Sequence, residues 1–184
     1  LNVDVDGIGT NYIHAGSGDP LILIHGSGPG VTAYANWRGV IPDFAEHFAC
    51  YAPDTLGFGY TDFPSDIHGF AMERWVAHLI GFMDALGIAR AHFIGNSYGG
   101  ALTLALAIRH PDKPDTYMLG VECDGATYHS ARAARDRDKY RQAVLEGLGW
   151  QIYRIWSTDW FENADTETRK LVKHLRQLQN DRRK

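Results

Sequence analysis

One serine stands where its hydroxyl could attack a carbonyl group. Ser97 lies in Gly95-Asn-Ser-Tyr-Gly99, which has the G-x-S-x-G pattern. An apolar run precedes this pattern and a small-residue helical stretch follows it, as in the sharp strand-to-helix turns that expose a nucleophilic serine. The glycines leave room for a tight backbone, and the new helix directs its first amides towards the site. The sequence therefore predicts Ser97 as a nucleophile and the amide of Tyr98 as a donor to a developing oxyanion.

A second oxyanion donor is expected from a glycine-rich loop. The segment His25-Gly-Ser-Gly-Pro-Gly30 comes directly after the apolar run Pro20–Ile24. A loop at this place can bring a backbone N–H close to the serine, where it would act as a second oxyanion donor. A phosphate-binding loop would continue with G-K-[ST], and this sequence does not.

A family resemblance rests on the same segments. It is carried by His25-Gly-Ser-Gly-Pro-Gly-Val-Thr-Ala-Tyr-Ala-Asn-Trp37, by Ala52-Pro-Asp-Thr-Leu-Gly-Phe-Gly-Tyr-Thr-Asp62 and by Gly95-Asn-Ser-Tyr-Gly-Gly100. Over residues 1–113 the chain resembles the α/β-hydrolases that cleave carbon–carbon bonds in ring-fission products of aromatic degradation. The resemblance implies that Gly28 and Ser27 lie in the oxyanion loop, with the amide of Gly28 as the second donor. It also implies a small-molecule substrate with Ser27 and Asn36 near it, although Asn36 could instead cap a helix.

The serine also needs a base, and the base needs an acid that orients it. In the resembled family these residues follow the serine as Asp and then His, in a later half of the chain. Residues after 113 contain neither the family's Gly-x-x-Asp loop nor its Gly-His-Trp sequence. Asp124 and His129 occur in the required order, only five residues apart, and are our candidates for the acid and the base. We expect turnover to be impaired.

The later part of the chain resembles a different family. Three segments, Leu119–His129, Ala133–Gln142 and Leu148–Trp160, are similar to the very-short-patch-repair-endonuclease-like module of the PD-(D/E)xK nuclease type. This resemblance covers residues 108–162 and implies a metal-dependent nuclease or a DNA-binding segment. The chain as a whole looks like a chimera of two families.

The nuclease interpretation has its own candidate site. Glu122 and Asp124 alternate along a predicted strand, so both carboxylates can face one side and hold Mg²⁺. His129 would then act as an acid or base beside the metal. The family takes its first metal-binding Asp from a preceding strand, and here that position is a predicted helix, residues 101–110. Mg²⁺ belongs to this alternative alone, since the hydrolase interpretation implies no cofactor.

Charge divides the chain near the same place. Residues 1–116 carry five Lys and Arg against 12 Asp and Glu, whereas residues 117–184 carry 13 against 10. We therefore predict two parts, 1–113 with the nucleophile turn and 114–184 with the endonuclease-like segment. The basic second part could bind nucleic acid, or its helices could simply carry more Lys and Arg.

Predicted strands and helices alternate, which favours an α/β fold with a mostly parallel, doubly wound sheet, in which a β-α-β-α segment continues the hydrolase half. The predicted hairpin spans 1–18, with strands at 20–25, 48–53, 91–95, 117–123 and 151–156. Helices are predicted over 37–48, 70–86, 98–110, 130–148 and 165–180. Asp165 or Thr166 is predicted to cap the last helix.

Composition narrows the class of protein. Hydrophobic residues make up 45% and charged residues 22%, which is typical of a globular chain. No apolar run approaches the ~18 residues of a membrane span, and the start resembles an interior or processed one rather than an export signal. We expect a cytoplasmic protein without membrane contact, with self-association as one way to cover exposed edges. The interpretations left open are a serine hydrolase, a nuclease fragment and a non-catalytic hybrid.

Overall fold

The computed structural model describes residues 1–64, 72–109, 120–124 and 152–182. The helix predicted over 130–148 lies outside these ranges. The elements are β1 (Asn2–Val5), β2 (Ile8–Ala15), β3 (Pro20–Ile24), α1 (Ala33–Trp37), α2 (Ile41–Ala45), β4 (Ala49–Pro53), α3 (Met72–Ala85), β5 (His92–Gly95), α4 (Tyr98–Arg109), β6 (Gly120–Asp124), β7 (Ile152–Trp156) and α5 (Ser157–Arg182).

The central sheet has the strand order β1-β2-β4-β3-β5. The hairpin β1–β2 and the pair β2–β4 are antiparallel, whereas β3 pairs in parallel with both β4 and β5. Strands β6 and β7 also pair in parallel, and β6 lies beside β5 and α4. In the described ranges the backbone ladders join β6 to β7 and not to β5. Parallel pairs predominate, which confirms the predicted α/β sheet.

Strand β3 divides the core into two layers. Leu21 and Leu23 pack on one face with α1 and α2, whereas Ile22 and Ile24 pack on the other with α3 and α4. All four side chains are fully buried. A strand covered on both faces reads as a continuous apolar run, which is why the segment 20–25 was recognisable. Helices on both faces confirm the doubly wound arrangement.

The C-terminal helix packs in the core layer that contains α1 and α2. Leu171 and Leu175 of α5, together with Ile155 of β7, join the cluster that contains Trp37 and Phe44. The described residues on either side of the predicted 113/114 boundary therefore share one hydrophobic cluster. Burial of this kind contributes about 25 cal/mol per Å² of apolar surface, so the two parts stabilise each other.

Two helix predictions need correction. The helix predicted over 37–48 is instead the shorter α2, which has Pro42 in its first turn. A separate short helix, α1, precedes it and ends at Trp37; Thr32 caps α1 by accepting the Ala35 N–H at 2.9 Å. The last helix starts earlier, at residue 157, and breaks at Asn163, where φ is −157° and ψ is 70°. Asn163 Oδ1 accepts the Thr166 N–H at 3.1 Å. Asn163 is thus the cap, and the prediction of Asp165 or Thr166 is wrong.

No helix in the described ranges is both long enough and apolar enough to cross a bilayer.

Candidate active site

Ser97 occupies a strained turn between β5 and α4. Its φ is +55°, a left-handed conformation that non-glycine residues rarely adopt. The residue is exposed, while the amides of Gly99 and Gly100 already bond to Asn96 O and Ser97 O at 2.9 and 3.0 Å. The turn therefore lifts the serine out of the sheet, as predicted for a nucleophile elbow.

The two glycines of the pattern are required by close packing. A Cβ on Gly95 would overlap the carbonyl group of Gly99, and a Cβ on Gly99 would overlap the carbonyl oxygen of Ile24. Both overlaps involve backbone atoms, which cannot move aside as a flexible side chain could. Glycines at positions 95 and 99 therefore allow α4 to begin in direct contact with the ends of β3 and β5.

The loop after β3 runs beside Ser97. A Cβ on Gly26 would lie 3.4 Å from the Ser97 Cβ and 3.3 Å from the Asn96 carbonyl oxygen. Gly26 donates its N–H to Asn36 Oδ1 at 3.1 Å, and Asn96 Nδ2 donates to the same oxygen at 3.1 Å. Asn36 is therefore not a helix cap; it joins the loop to the elbow, and its predicted substrate contact stays a prediction.

His25 holds the same loop from the other side. The Thr55 N–H donates to His25 Nε2 at 2.9 Å, so the ring proton resides on Nδ1, which donates to Gly26 O at 2.6 Å. His25 is 1% exposed, and burial lowers the pKa of its imidazole despite the opposing effects of Gly26 and Asp54. The neutral ring is thus a fixed bridge between this loop and the end of β4.

Asp54 anchors the surrounding loops. Its carboxylate is buried and accepts the Ala33 N–H at 2.6 Å, Asn11 Nδ2 at 2.8 Å and the Tyr60 N–H at 2.9 Å. The Thr61 hydroxyl donates to the Asp54 carbonyl oxygen at 2.7 Å. Sequence reasoning missed this role; its only signal is an aspartate at the end of a buried strand, followed by a glycine-rich turn.

An open cleft lies between two glycine-rich loops, 28–32 and 57–60. Gly28 lines this cleft, as does Tyr60, which is 78% exposed. A Cβ added to Gly28 would meet no atom within 4 Å, whereas one added to Gly26 would contact Ser97. The oxyanion role of the Gly28 amide and the substrate contact of Ser27 remain predictions.

An aromatic contact involves the residue that follows Ser97. The rings of Trp75 and Tyr98 meet edge to face, with centroids 5.4 Å apart and an interplanar angle of 79°. Trp75 Nε1 donates to Leu56 O at 2.8 Å, which ties α3 to the loop after β4. Burial raises the pKa of the Tyr98 phenol. The residue after the nucleophile is therefore held by its ring as well as by its place in α4.

The predicted acid and base lie at or beyond the edge of the described ranges. Asp124 is the last residue of β6, the strand beside β5, and Ser97 follows the end of β5. His129 lies outside the described residues. Within those residues, no side chain forms a hydrogen bond to the Ser97 hydroxyl. The combination of Ser97, Asp124 and His129 stays a prediction.

Glu122 and Asp124 occupy alternate positions of β6, opposite Arg154 and Trp156 in register. Alternate residues of a strand share one face. In the part of the chain that the structure describes, no three potential ligands from His, Cys, Asp and Glu come together around a metal position. The assignment of Glu122 and Asp124 as Mg²⁺ ligands stays a prediction.

Comparison with known families agrees with both resemblances. The model of the alpha/beta hydrolase fold matches residues 19–119. A second family model, REase_MTES_1575, matches residues 87–175. The two matches overlap over residues 87–119, a region that contains β5 and α4 and ends directly before β6.

Relatives with similar sequences are hydrolases. The chain is 54% identical over 113 residues to a 2-hydroxy-6-oxo-2,4-heptadienoate hydrolase of Pseudomonas putida, which covers 61% of this chain and 41% of the relative. It is 53% identical over 113 residues to a 2-hydroxymuconate semialdehyde hydrolase of a Pseudomonas species, covering 61% and 40%. The chain spans about two-fifths of the length of these curated relatives.

A solved structure gives the same relationship. A mutant of the meta-cleavage product hydrolase of Pseudomonas fluorescens, complexed with acetates, matches with a TM-score of 0.61 and 45% identity. The match covers 66% of this chain and 43% of that one. Because the hydrolase model spans more than half of the sequence and the strained elbow stands where that fold places its nucleophile, the chain belongs to the α/β-hydrolase fold family.

Proposed function

We propose that the chain is a serine-dependent hydrolase acting on a carbon–carbon bond next to a ketone, or on a small ester. The observation that carries the proposal is the exposed Ser97, held at φ +55° beside Gly26. A nucleophile placed in this way needs little reorganisation before it attacks a carbonyl carbon. The curated relatives named above act on 2-hydroxy-6-oxo-dienoates, so a dienoate of this type is the proposed small-molecule substrate.

Oxyanion stabilisation would come from backbone amides. The amides of Gly28 and Tyr98 are the proposed donors. The Ser27 N–H is a further proposed donor, since a trans peptide directs its N–H away from its C=O. The bond from His25 Nδ1 to Gly26 O therefore also fixes the direction of the Ser27 N–H. Removal of one such donor costs other hydrolases about 10²–10³ in kcat.

Asp124 and His129 are the proposed acid–base pair. Asp124 ends the strand next to the one that carries Ser97, which supports its assignment as the acid, with His129 as the base. Residues after 113 contain neither the Gly-x-x-Asp loop nor the Gly-His-Trp sequence of the resembled family, so we expect turnover well below that of the relatives. Even without a complete triad, an oxyanion site retains about 10³–10⁴-fold catalysis over water.

The proposal is tested by direct assay of the protein and its variants. The substrates are 2-hydroxy-6-oxo-2,4-heptadienoate and p-nitrophenyl acetate, and the variants are Ser97→Ala, Asp124→Asn and His129→Gln. Cleavage above the Ser97→Ala background is expected with at least one substrate. Loss of that cleavage in His129→Gln supports the assigned base. Equal rates for the wild type and Ser97→Ala on both substrates contradict the proposal.

A second candidate function is that of a metal-dependent nuclease. It is favoured by the REase_MTES_1575 match and by the placement of Glu122 and Asp124 on one face of β6. These carboxylates would hold Mg²⁺ together with water and a substrate phosphate, where the ion would activate water. Mg²⁺-dependent cutting of DNA, lost in Glu122→Ala and in Asp124→Ala, supports this function. If neither activity occurs in a cooperatively folded protein, the chain is a non-catalytic hybrid.

A further inference from the structure

We propose that Asn36 and His25 are positioning residues that hold Gly26 against Ser97 and thereby set the geometry of the oxyanion site. This inference rests on the proposed hydrolase function. The two side chains and the peptide groups that they hold are called the Gly26 clamp below.

The first arm of the Gly26 clamp acts on the N–H group. Asn36 Oδ1 accepts from the Gly26 N–H and from Asn96 Nδ2, each at 3.1 Å. Asn96 immediately precedes the nucleophile, and its own N–H donates to Ile24 O at 2.9 Å. One side-chain oxygen on α1 therefore joins the loop and the elbow, in addition to the backbone bond between Asn96 and the end of β3.

The second arm acts on the carbonyl group. His25 Nδ1 donates to Gly26 O at 2.6 Å, and its Nε2 is occupied by the Thr55 N–H at 2.9 Å. A flip of the imidazole ring would break both bonds, because Thr55 provides a donor and Gly26 provides an acceptor. Both backbone polar groups of Gly26 are thus bonded to side chains, the N–H to Asn36 of α1 and the carbonyl oxygen to the preceding residue, His25.

The loop needs these side-chain hydrogen bonds because its glycine-rich backbone has many accessible conformations. Glycine has more accessible backbone conformations than any other residue, and the loop 26–30 contains three of them. Oxyanion stabilisation depends on donors that are already oriented when charge develops. A misplacement of about 1 Å can cost about 10² in rate. The hydrogen bonds of Asn36 and His25 supply order that the loop sequence does not.

Substitutions of Asn36 can keep or remove the hydrogen-bond acceptor selectively. Both of its partners are donors, so what is required at this position is an acceptor oxygen. Asn36→Asp keeps an acceptor at nearly the same place, whereas Asn36→Leu keeps the volume and removes the acceptor. Asn36→Ala also removes it, with less steric demand on α1.

The test combines amide hydrogen exchange at Gly26, measured by NMR, with the rate of labelling of Ser97 by a fluorophosphonate. In Asn36→Leu we expect Gly26 exchange to accelerate at least tenfold and labelling to slow by about tenfold to hundredfold. Asn36→Asp should keep the protection of Gly26. If Asn36→Leu does not fold, the same comparison is made with Asn36→Ala.

Two results overturn the proposal. One is unchanged Gly26 protection in a folded variant without the acceptor. The other is lost protection with an unchanged labelling rate, since Asn36 would then be a purely structural residue. If the wild type is not labelled at all, the proposed function fails. The hydrogen-exchange rate of the Gly26 amide alone then shows whether Asn36 holds this residue.

Discussion

The backbone nitrogen of Ala33 lies 2.6 Å from Oδ1 of Asp54, so the first residue of α1 is held directly by the carboxylate at the end of β4. The same carboxylate holds Asn11 of β2 and Tyr60 of the following loop. Three segments distant in sequence thus meet at one buried acid. Through α1, this arrangement also places Asn36 beside the loop and the elbow.

Asp54→Ala should lower the free energy of unfolding by about 3 kcal/mol or more, because it leaves three donors without their acceptor in a buried site. Asp54→Asn should also destabilise the protein, since its amide group would face at least one of those donors. Asp62→Ala is the matched control: Asp62 accepts the Gly9 N–H in an exposed position, and removal of this acceptor should cost less than about 1 kcal/mol. Urea denaturation measures all three variants, and equal effects of Asp54→Ala and Asp62→Ala would contradict the assigned role of Asp54.

Gly99→Ala should distort the elbow, because its methyl group would overlap the Ile24 carbonyl oxygen. We expect a loss of about 2–4 kcal/mol in stability, together with loss of Ser97 labelling. In Gly39→Ala the new methyl group meets no atom within 4 Å, so the change should stay within about 0.5 kcal/mol. Normal stability and normal labelling of Gly99→Ala would show that the elbow is not built as described.

Leu175→Ala should destabilise the whole chain by about 2–5 kcal/mol, because Leu175 is 1% exposed in the cluster shared by α5 and α1–α2. Gln177→Ala, at an exposed position of the same helix, should have little effect. Far-UV circular dichroism and tryptophan fluorescence should report a single coincident transition. Two separate transitions, of which Leu175→Ala shifts only one, would show that the two parts do not share a core.

Acid should destabilise the fold through His78. Its Nε2 lies 2.9 Å from Thr10 Oγ1, whose own proton goes to Ile8 O, so Nε2 donates and the buried Nδ1 carries no proton. Burial lowers the pKa of His78 from 6.5 to about 4. Between those values the unfolded chain binds more protons, so the free energy of unfolding falls as the pH falls, by about 3 kcal/mol in total.

The pH dependence of unfolding in urea between pH 7.5 and 4.5 measures this contribution. His78→Gln should flatten it, leaving the part that comes from His25, whose pKa burial also lowers. His14→Gln, the same substitution at an exposed position, is the matched control. An equally steep slope in His78→Gln would contradict the assignment.

The sequence was sufficient for features that depend on local patterns. The run 20–25, the G-x-S-x-G turn and the hairpin each follow from the spacing of a few neighbouring residues. The role of Asp54 was not predictable, because its donors come from residues 11, 33 and 60, which only the folded chain brings together. The cap at Asn163 was missed for a related reason: Asn163, Asp165 and Thr166 are all good caps, and local sequence does not choose among them.

The central claim is that the elbow holds an activated serine. Fluorophosphonate labelling of the wild type, Ser97→Ala and His129→Ala tests it most directly, because the reaction requires a nucleophilic hydroxyl and no particular substrate. We predict labelling of the wild type that is lost in Ser97→Ala, and a further dependence on His129 if that residue is the base. Absence of labelling in a well-folded wild type would contradict the claim and leave the elbow as architecture without activity.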